Sequence, residues 1–334
     1  MGSNIRNHAV LLIGIALSAL FLWIAARDVD LAQIKSALAA ADLRWAALVL
    51  ALLFGFCFAK GWRWSLLLNL ASLRGTLALT RAVLVGYAAT SLLPLQLGEV
   101  VRAWAATRVV ERSLAPIVVS IALERVLDLL AVLVVLAAVL LLGGPLPAGL
   151  LRAGWLFGVA SLLLLAALVI YVAFTDATLR MVARLAAPLP KRARNVLLDQ
   201  LRRGAEGAAA LRSPSMCVWL GVSSLVQWFL MAGCIAASFA ALGLDLPFAA
   251  AGSVLGLTII GMSLPSGPGY VGSIQLAFTL GLAPFGVAAG TAIATSVFYH
   301  VLVCGSLIVA GLIALHRLGG TLRTIVVAPP VRQP

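Results

Sequence analysis

Two apolar stretches of this chain break at proline and glycine, and each break carries polar residues that hydrocarbon does not tolerate. The first reads Ser91-Leu92-Leu93-Pro94-Leu95-Gln96-Leu97-Gly98-Glu99-Val100-Val101-Arg102. The second reads Ser263-Leu264-Pro265-Ser266-Gly267-Pro268-Gly269-Tyr270-Val271-Gly272-Ser273-Ile274-Gln275. Proline lacks a backbone donor and glycine loosens a helix, so N–H and C=O groups lose their partners at both places. At membrane depth such groups survive only inside protein or beside a watery cavity.

A bilayer is the setting because 63% of the 334 residues are apolar and only 10% are charged. Soluble domains are near half apolar and a quarter charged. Several runs reach the roughly 20 apolar residues that a span requires. The first, 9–26, follows Arg6 and His8 and reads as an uncleaved span, since it is longer than a signal-peptide core and more spans follow. The net charge of +13 comes from 24 Lys/Arg against 11 Asp/Glu. Cytoplasmic loops account for that excess, and no nucleic-acid motif accompanies it. Cys57, Cys217, Cys234 and Cys304 sit in apolar segments without metal-ligand spacing and are expected to be reduced and buried.

These features predict an all-α polytopic membrane protein, a single domain over 1–334, with neither cofactor nor metal. Full spans are expected at about 9–26, 45–64, 115–142, 153–174, 215–242 and 285–315. Residues 28–43 have the spacing of a short surface helix, and 175–214 form a basic cytoplasmic loop, helical in part. Segments 82–112 and 248–284 hold the breaks and are expected to be re-entrant hairpins. Six spans then put both termini in the cytoplasm of a bacterial inner membrane. Residues 60–81, 102–112 and 175–214 fall inside, leaving Arg27, Lys35, Arg44 and Arg152 outside. The hairpins would enter from opposite faces, as an inverted repeat requires.

Glu99 and Arg102 are three apart on one helix face, directly after Gly98. A guanidinium near a helix start can hold a phosphate, or the pair can anchor the helix end. Glu124, Arg125 and Asp128 interrupt an apolar run, where a lone charge costs roughly 3 kcal/mol or more. They either line a polar cavity or form an internal salt bridge that includes Arg102. In the second break, Pro265, Gly267, Pro268, Gly269 and Gly272 free backbone groups, and Tyr270, Ser273 and Gln275 can bond to them. Pro94, Gln96 and Gly98 complete the first break. Gln227 reads as an interhelical hydrogen bonder, and His300 as a packed polar group. Neither a phosphate-binding loop for ATP nor a metalloprotease motif is present.

Pro94-x-x-x-Gly98-Glu99-x-x-Arg102, Glu124-Arg125-x-x-Asp128 and Pro265-x-Gly267-x-Gly269 together resemble the lysylphosphatidylglycerol synthase transmembrane region, or flippase-like domain. The order and coarse spacing match across nearly the whole chain. The resemblance implies a domain that moves a lipid or lipid-linked headgroup between leaflets. It brings no aminoacyl-transferring domain within these 334 residues, so synthase activity is not carried over. Gln96 stands where a basic residue is expected, and Gln275 where many relatives have glutamate. The second departure weakens the case for proton coupling or a cationic headgroup at that position.

The expected function is therefore a non-enzymatic lipid flippase. Arg102 contacts phosphate or holds the acidic residues, the carboxylates take amine or hydroxyl groups, and the hairpins act as gates. Membrane lipids are the partners; a homodimer and association with envelope lipid-modifying enzymes are further expectations. Rival classes are a secondary transporter of a small anionic metabolite, a lipid-linked glycosyl transferase, and a non-catalytic partner of envelope enzymes. The topology predicts that cysteines placed at Ala148 and Leu244 label with an impermeant thiol reagent from outside the cell. Labelling from the cytoplasm would overturn it.

Overall fold

The computed structural model describes residues 16–27, 30–93, 97–141, 148–188, 190–206, 209–263 and 267–320. Thirteen helices follow one another among them, with no strand. They are α1 (Ala16–Ala26), α2 (Leu31–Ala39), α3 (Arg44–Leu67), α4 (Leu73–Leu92), α5 (Gly98–Val109), α6 (Leu114–Leu141), α7 (Ala148–Ala173), α8 (Thr175–Leu185), α9 (Lys191–Glu206), α10 (Pro214–Ala241), α11 (Phe248–Ser263), α12 (Ser273–Leu282) and α13 (Ala289–Arg317). Short 3-10 turns lie at Ala209–Arg212, Pro268–Tyr270 and Ala283–Phe285.

The protein is an all-α polytopic membrane protein. Among the described residues, α3, α10 and α13 are long and apolar enough to cross a bilayer. Gly158–Tyr171 with Thr175–Leu185, bent by 97°, makes a fourth if the pair is one span. The six expected spans are thus not all reproduced. At 28 residues α6 has the length and the apolar character, but it carries three charges, Glu124, Arg125 and Asp128. The run 9–26 is described only from Ala16.

At each break the chain folds back on itself. In the first, a Cβ on Gly86 would lie 2.6 Å from Cβ of Arg102, and one on Gly98 would lie 2.6 Å from the Thr90 backbone nitrogen. Position 86 therefore faces 102, and 90 faces 98, which is antiparallel pairing of α4 with α5. In the second, a Cβ on Gly281 would meet Val254 at 2.9 Å, and one on Gly261 would meet Ser273 at 3.6 Å. That pairs α11 with α12 in the same sense. The short arms have 12 and 10 residues. At 1.5 Å per residue they reach about 18 and 15 Å, well short of the ~30 Å hydrocarbon core. Glycine at the crossing points lets the two backbones of each hairpin touch.

The hairpins are exchanged between the halves. Helix α4 of the first packs on α13, and α11 of the second packs on α6, while α3 runs along α10. The long arm of each hairpin thus touches a long helix of the other half. The second break is also tied to α1: Ser18 Oγ accepts the Gly267 N–H at 2.7 Å. Gly272, at φ +88°, sits against the Ser18 backbone, where any Cβ would collide.

Gly98→Val should drive a side chain into Thr90 and the Gly86 carbonyl. A loss of about 1–3 kcal/mol is expected, read as a lower unfolding temperature in detergent. Gly221→Val, where a Cβ meets open space, should leave that temperature unchanged.

Candidate functional site

The site begins on α3. Trp62-Arg63-Trp64 reads in sequence as an interfacial cluster ending a span. The helix instead runs unbroken to Leu67, and both Arg63 and Trp64 are 0% exposed. Lys60, 2% exposed, shares their environment. Lys60 and Arg63 are three apart on one helix face. They are internal charges rather than loop cations, so two positive charges leave the count of residues 60–81 assigned to the inside. The physical reason lies on α6, which supplies their counter-charges.

Glu124 and Asp128 are four apart and turn one face of α6 inward, 1% and 3% exposed. Asp128 collects donors from two helices. Lys60 Nζ donates to its Oδ2 at 3.1 Å, and Arg63 Nη2 to its Oδ1 at 2.7 Å. From α10, Gln227 Nε2 reaches Oδ1 at 2.7 Å and Trp228 Nε1 at 3.2 Å. Glu124 pairs with Lys60, with Arg63 at 3.1 Å, and with Arg102 of α5 at 2.5 Å. Ser224 Oγ accepts from Arg63 Nη1 at 2.8 Å. The Arg102 guanidinium lies over the Trp64 ring, 4.0 Å from its centre, and Trp64 is held by an N–H bond to Ser120 Oγ at 2.9 Å.

Lys60, Arg63 and Arg102 against Glu124 and Asp128 give the interior a formal surplus of one positive charge, three minus two. The rim adds a neutral pair. Arg125 bonds Glu99, whose other oxygen is 3.6 Å from Arg102 Nη1. Arg125 does not pair with Asp128 despite the three-residue spacing; its side chain is 51% exposed and points to α5. Among the described residues of the cluster and its rim, Nε of Arg63, Nε of Arg102, Oε1 of Glu124, Oε2 of Glu99 and Oε1 of Gln227 are buried without a hydrogen-bond partner. Burying an ion costs several kcal/mol unless geometry and partners compensate. This cluster pairs every charge with an opposite one, but leaves atoms on both its carboxylates and its guanidiniums without a hydrogen bond.

The second break is polar but neutral. Gln275 closes the start of α12, its Oε1 accepting from Gly272 N–H at 2.7 Å, and its Nε2 meets His300 Nδ1 at 3.1 Å. Ser273 is buried and its Oγ has no partner among the described residues. Gly269 lies close to the Ser91 carbonyl at the end of α4 and to His300 Nε2. The tips of the two hairpins therefore meet. Tyr270 is partly buried, at φ +59°, within electrostatic reach of Arg125. Pro268 opens the 3-10 turn at the surface. Pro94, Gln96 and Pro265 lie outside the described residues.

Of the residues singled out in sequence, Glu99, Arg102, Glu124 and Asp128 come together, with Arg125 at their edge. Ser273 and Gln275 belong instead to the second break. Gln227 is the interhelical bonder expected of it. Lys60, Arg63 and Ser224 were missed as cluster members. Two cations three apart, in a run that continues apolar through Leu66-Leu67-Leu68, are the signal that could have found the first two. Cys57 and Cys234 are buried, but Cys217, near the start of α10, is exposed, contrary to expectation. No group of three or more potential metal ligands forms among the described residues.

The profile of one protein family, described as lysylphosphatidylglycerol synthase TM region, matches residues 11–311. No curated protein and no solved structure matches the chain.

Asp128→Leu would strand Lys60 and Arg63 without their shared acceptor. Breaking a buried pair from one side costs about 3–5 kcal/mol, so a large fall in unfolding temperature is expected in detergent. Adding Lys60→Met should restore part of it. A double variant no more stable than the single one would contradict direct coupling of the two side chains.

Proposed function

Since the chain belongs to the lysylphosphatidylglycerol synthase TM region family, we propose that it moves a phospholipid, or a lipid-linked headgroup, between the leaflets of a membrane. The observation that carries this reading is the buried cluster with one surplus positive charge and unpartnered guanidinium nitrogens. A headgroup crossing the bilayer must exchange its water for something equally polar. Donors already held in place offer that exchange without first being ordered.

Arg102 is the residue proposed to take the phosphate. Its Nη2 is committed to Glu124, while its Nε has no described partner. It also stands behind Glu99 and Arg125 at the rim, where a headgroup would arrive. Glu124 and Asp128 hold the cations in register, and Glu99 with Arg125 forms a pair that can open to an amine or hydroxyl. The meeting of Gly269 with the end of α4 supports a gating role for the hairpin tips. We read the protein as a transporter rather than an enzyme. We place it in the bacterial inner membrane, termini and basic segment 175–214 on the cytoplasmic face, following the charge asymmetry. A small-anion transporter would use the same surplus charge; the lipid reading is preferred because the family description names a lipid.

Vesicles holding the purified protein and headgroup-labelled lipids provide the test. Charge-assisted hydrogen bonds contribute about 1.5–3 kcal/mol, so Arg102→Ala should slow labelled-lipid translocation by roughly tenfold or more, with Arg102→Lys intermediate. Unaltered translocation of every lipid tried, in a monodisperse Arg102→Ala protein, would remove Arg102 from the pathway.

A further inference from the structure

A polar cavity lies apart from the buried cluster and shares no residue with it. It measures about 460 Å³ and sits where α3 ends and α6, α8 and α9 converge. Arg112, Arg202 and Arg212 line it, with Asp176 and Asn69 beside them and Pro116 on α6. The three arginines come from separate segments: the link after α5, helix α9, and the 3-10 turn before α10. Basic residues on a loop are ordinary. Three guanidiniums brought from distant parts of the chain to one concavity are not explained by that rule.

The frame around the cavity is fixed by specific contacts. Arg112 donates from Nη2 to the Leu68 carbonyl at 3.4 Å, which ties its segment to the end of α3. Helix α9 is docked on either side of Arg202, at Leu201 and Gly204. The Tyr171 hydroxyl of α7 donates to the Leu201 carbonyl. A Cβ on Gly204 would be 3.0 Å from Val119 of α6 and 3.3 Å from the Tyr171 hydroxyl, so glycine lets α9 approach this closely. Asn69, at φ +53°, turns the chain at the cavity wall.

Three arginines and one carboxylate, Asp176, are the charged residues among those that line the cavity. Guanidinium forks match the oxygen geometry of phosphate. The volume falls within the roughly 300–1,000 Å³ of small-molecule sites, larger than a lone carboxylate needs. We propose that this cavity binds a phosphate-bearing anion, either a phospholipid headgroup at the membrane surface or a soluble phosphate compound. The proposal does not depend on lipid translocation and would stand if that reading failed.

The full-length protein in nanodiscs of mixed phosphatidylglycerol and phosphatidylcholine provides one arm. Native mass spectrometry should show preferential retention of phosphatidylglycerol, reduced about tenfold in Arg202→Ala/Arg212→Ala, as expected for losing charge-assisted bonds. Asp176→Asn, which removes the one carboxylate among the lining residues, should strengthen retention. Inorganic phosphate titrated calorimetrically into the detergent-solubilised protein is the other arm. Phosphate binding that the double variant abolishes, without any lipid preference, assigns the site to a soluble compound. Helical content by circular dichroism confirms that each variant is folded. If folded wild type and double variant agree in both arms, the proposal is wrong.

Discussion

Hydrocarbon offers no partner to an ion, and the structure is arranged around that fact. Five charged side chains sit inside the bundle, drawn from α3, α5 and α6, with polar help from α10. None is tolerable alone. Together they fix how these four helices must meet, because Asp128 can satisfy Lys60, Arg63, Gln227 and Trp228 only at one relative rotation of three helices. Arg102 can reach Glu124 only if α5 folds back beside α4. The first break is therefore a requirement of the charge cluster as well as an interruption of a span.

The two halves apply one device with different chemistry. In each, the short arm of a hairpin passes a polar side chain to the long helix that follows it: Arg102 to Glu124, and Gln275 to His300. In each, glycine permits the arms to touch backbone to backbone. The first half uses full charges, and the second uses neutral hydrogen bonds. The hairpin tips meet at Gly269 and the end of α4, so displacement of either tip would be felt by the other. The charged half has the stronger pull on an anion, and the neutral half the lower cost of rearrangement.

Much of this was legible in the residues. Pro and Gly at the breaks announced hairpins, and Glu124 and Asp128, four apart in an apolar run, announced an inward polar face. Gln227 announced an interhelical bond. The role of Lys60 and Arg63 was misread because aromatic residues flank Arg63, and Trp–Arg–Trp at the end of a hydrophobic run has the composition of a membrane interface. Only the continuation of α3 to Leu67 separates the two cases. The partner of Arg125 was left open by the sequence: three-residue spacing places two side chains near one another but does not choose between partners. Glu99, on another helix, was the one that Arg125 reached.

The sequence by itself determined that this chain is helical and membrane-embedded, where its helices break, and that some charges must be hidden. Those conclusions follow from local rules: backbone bonding, the length of apolar runs and the cost of an ion in lipid. Only the tertiary structure decided which charge meets which, that the interior keeps one positive charge in excess, and that three distant arginines share a cavity. Pairing depends on the rotation and approach of helices far apart in the chain, and no local pattern specifies those.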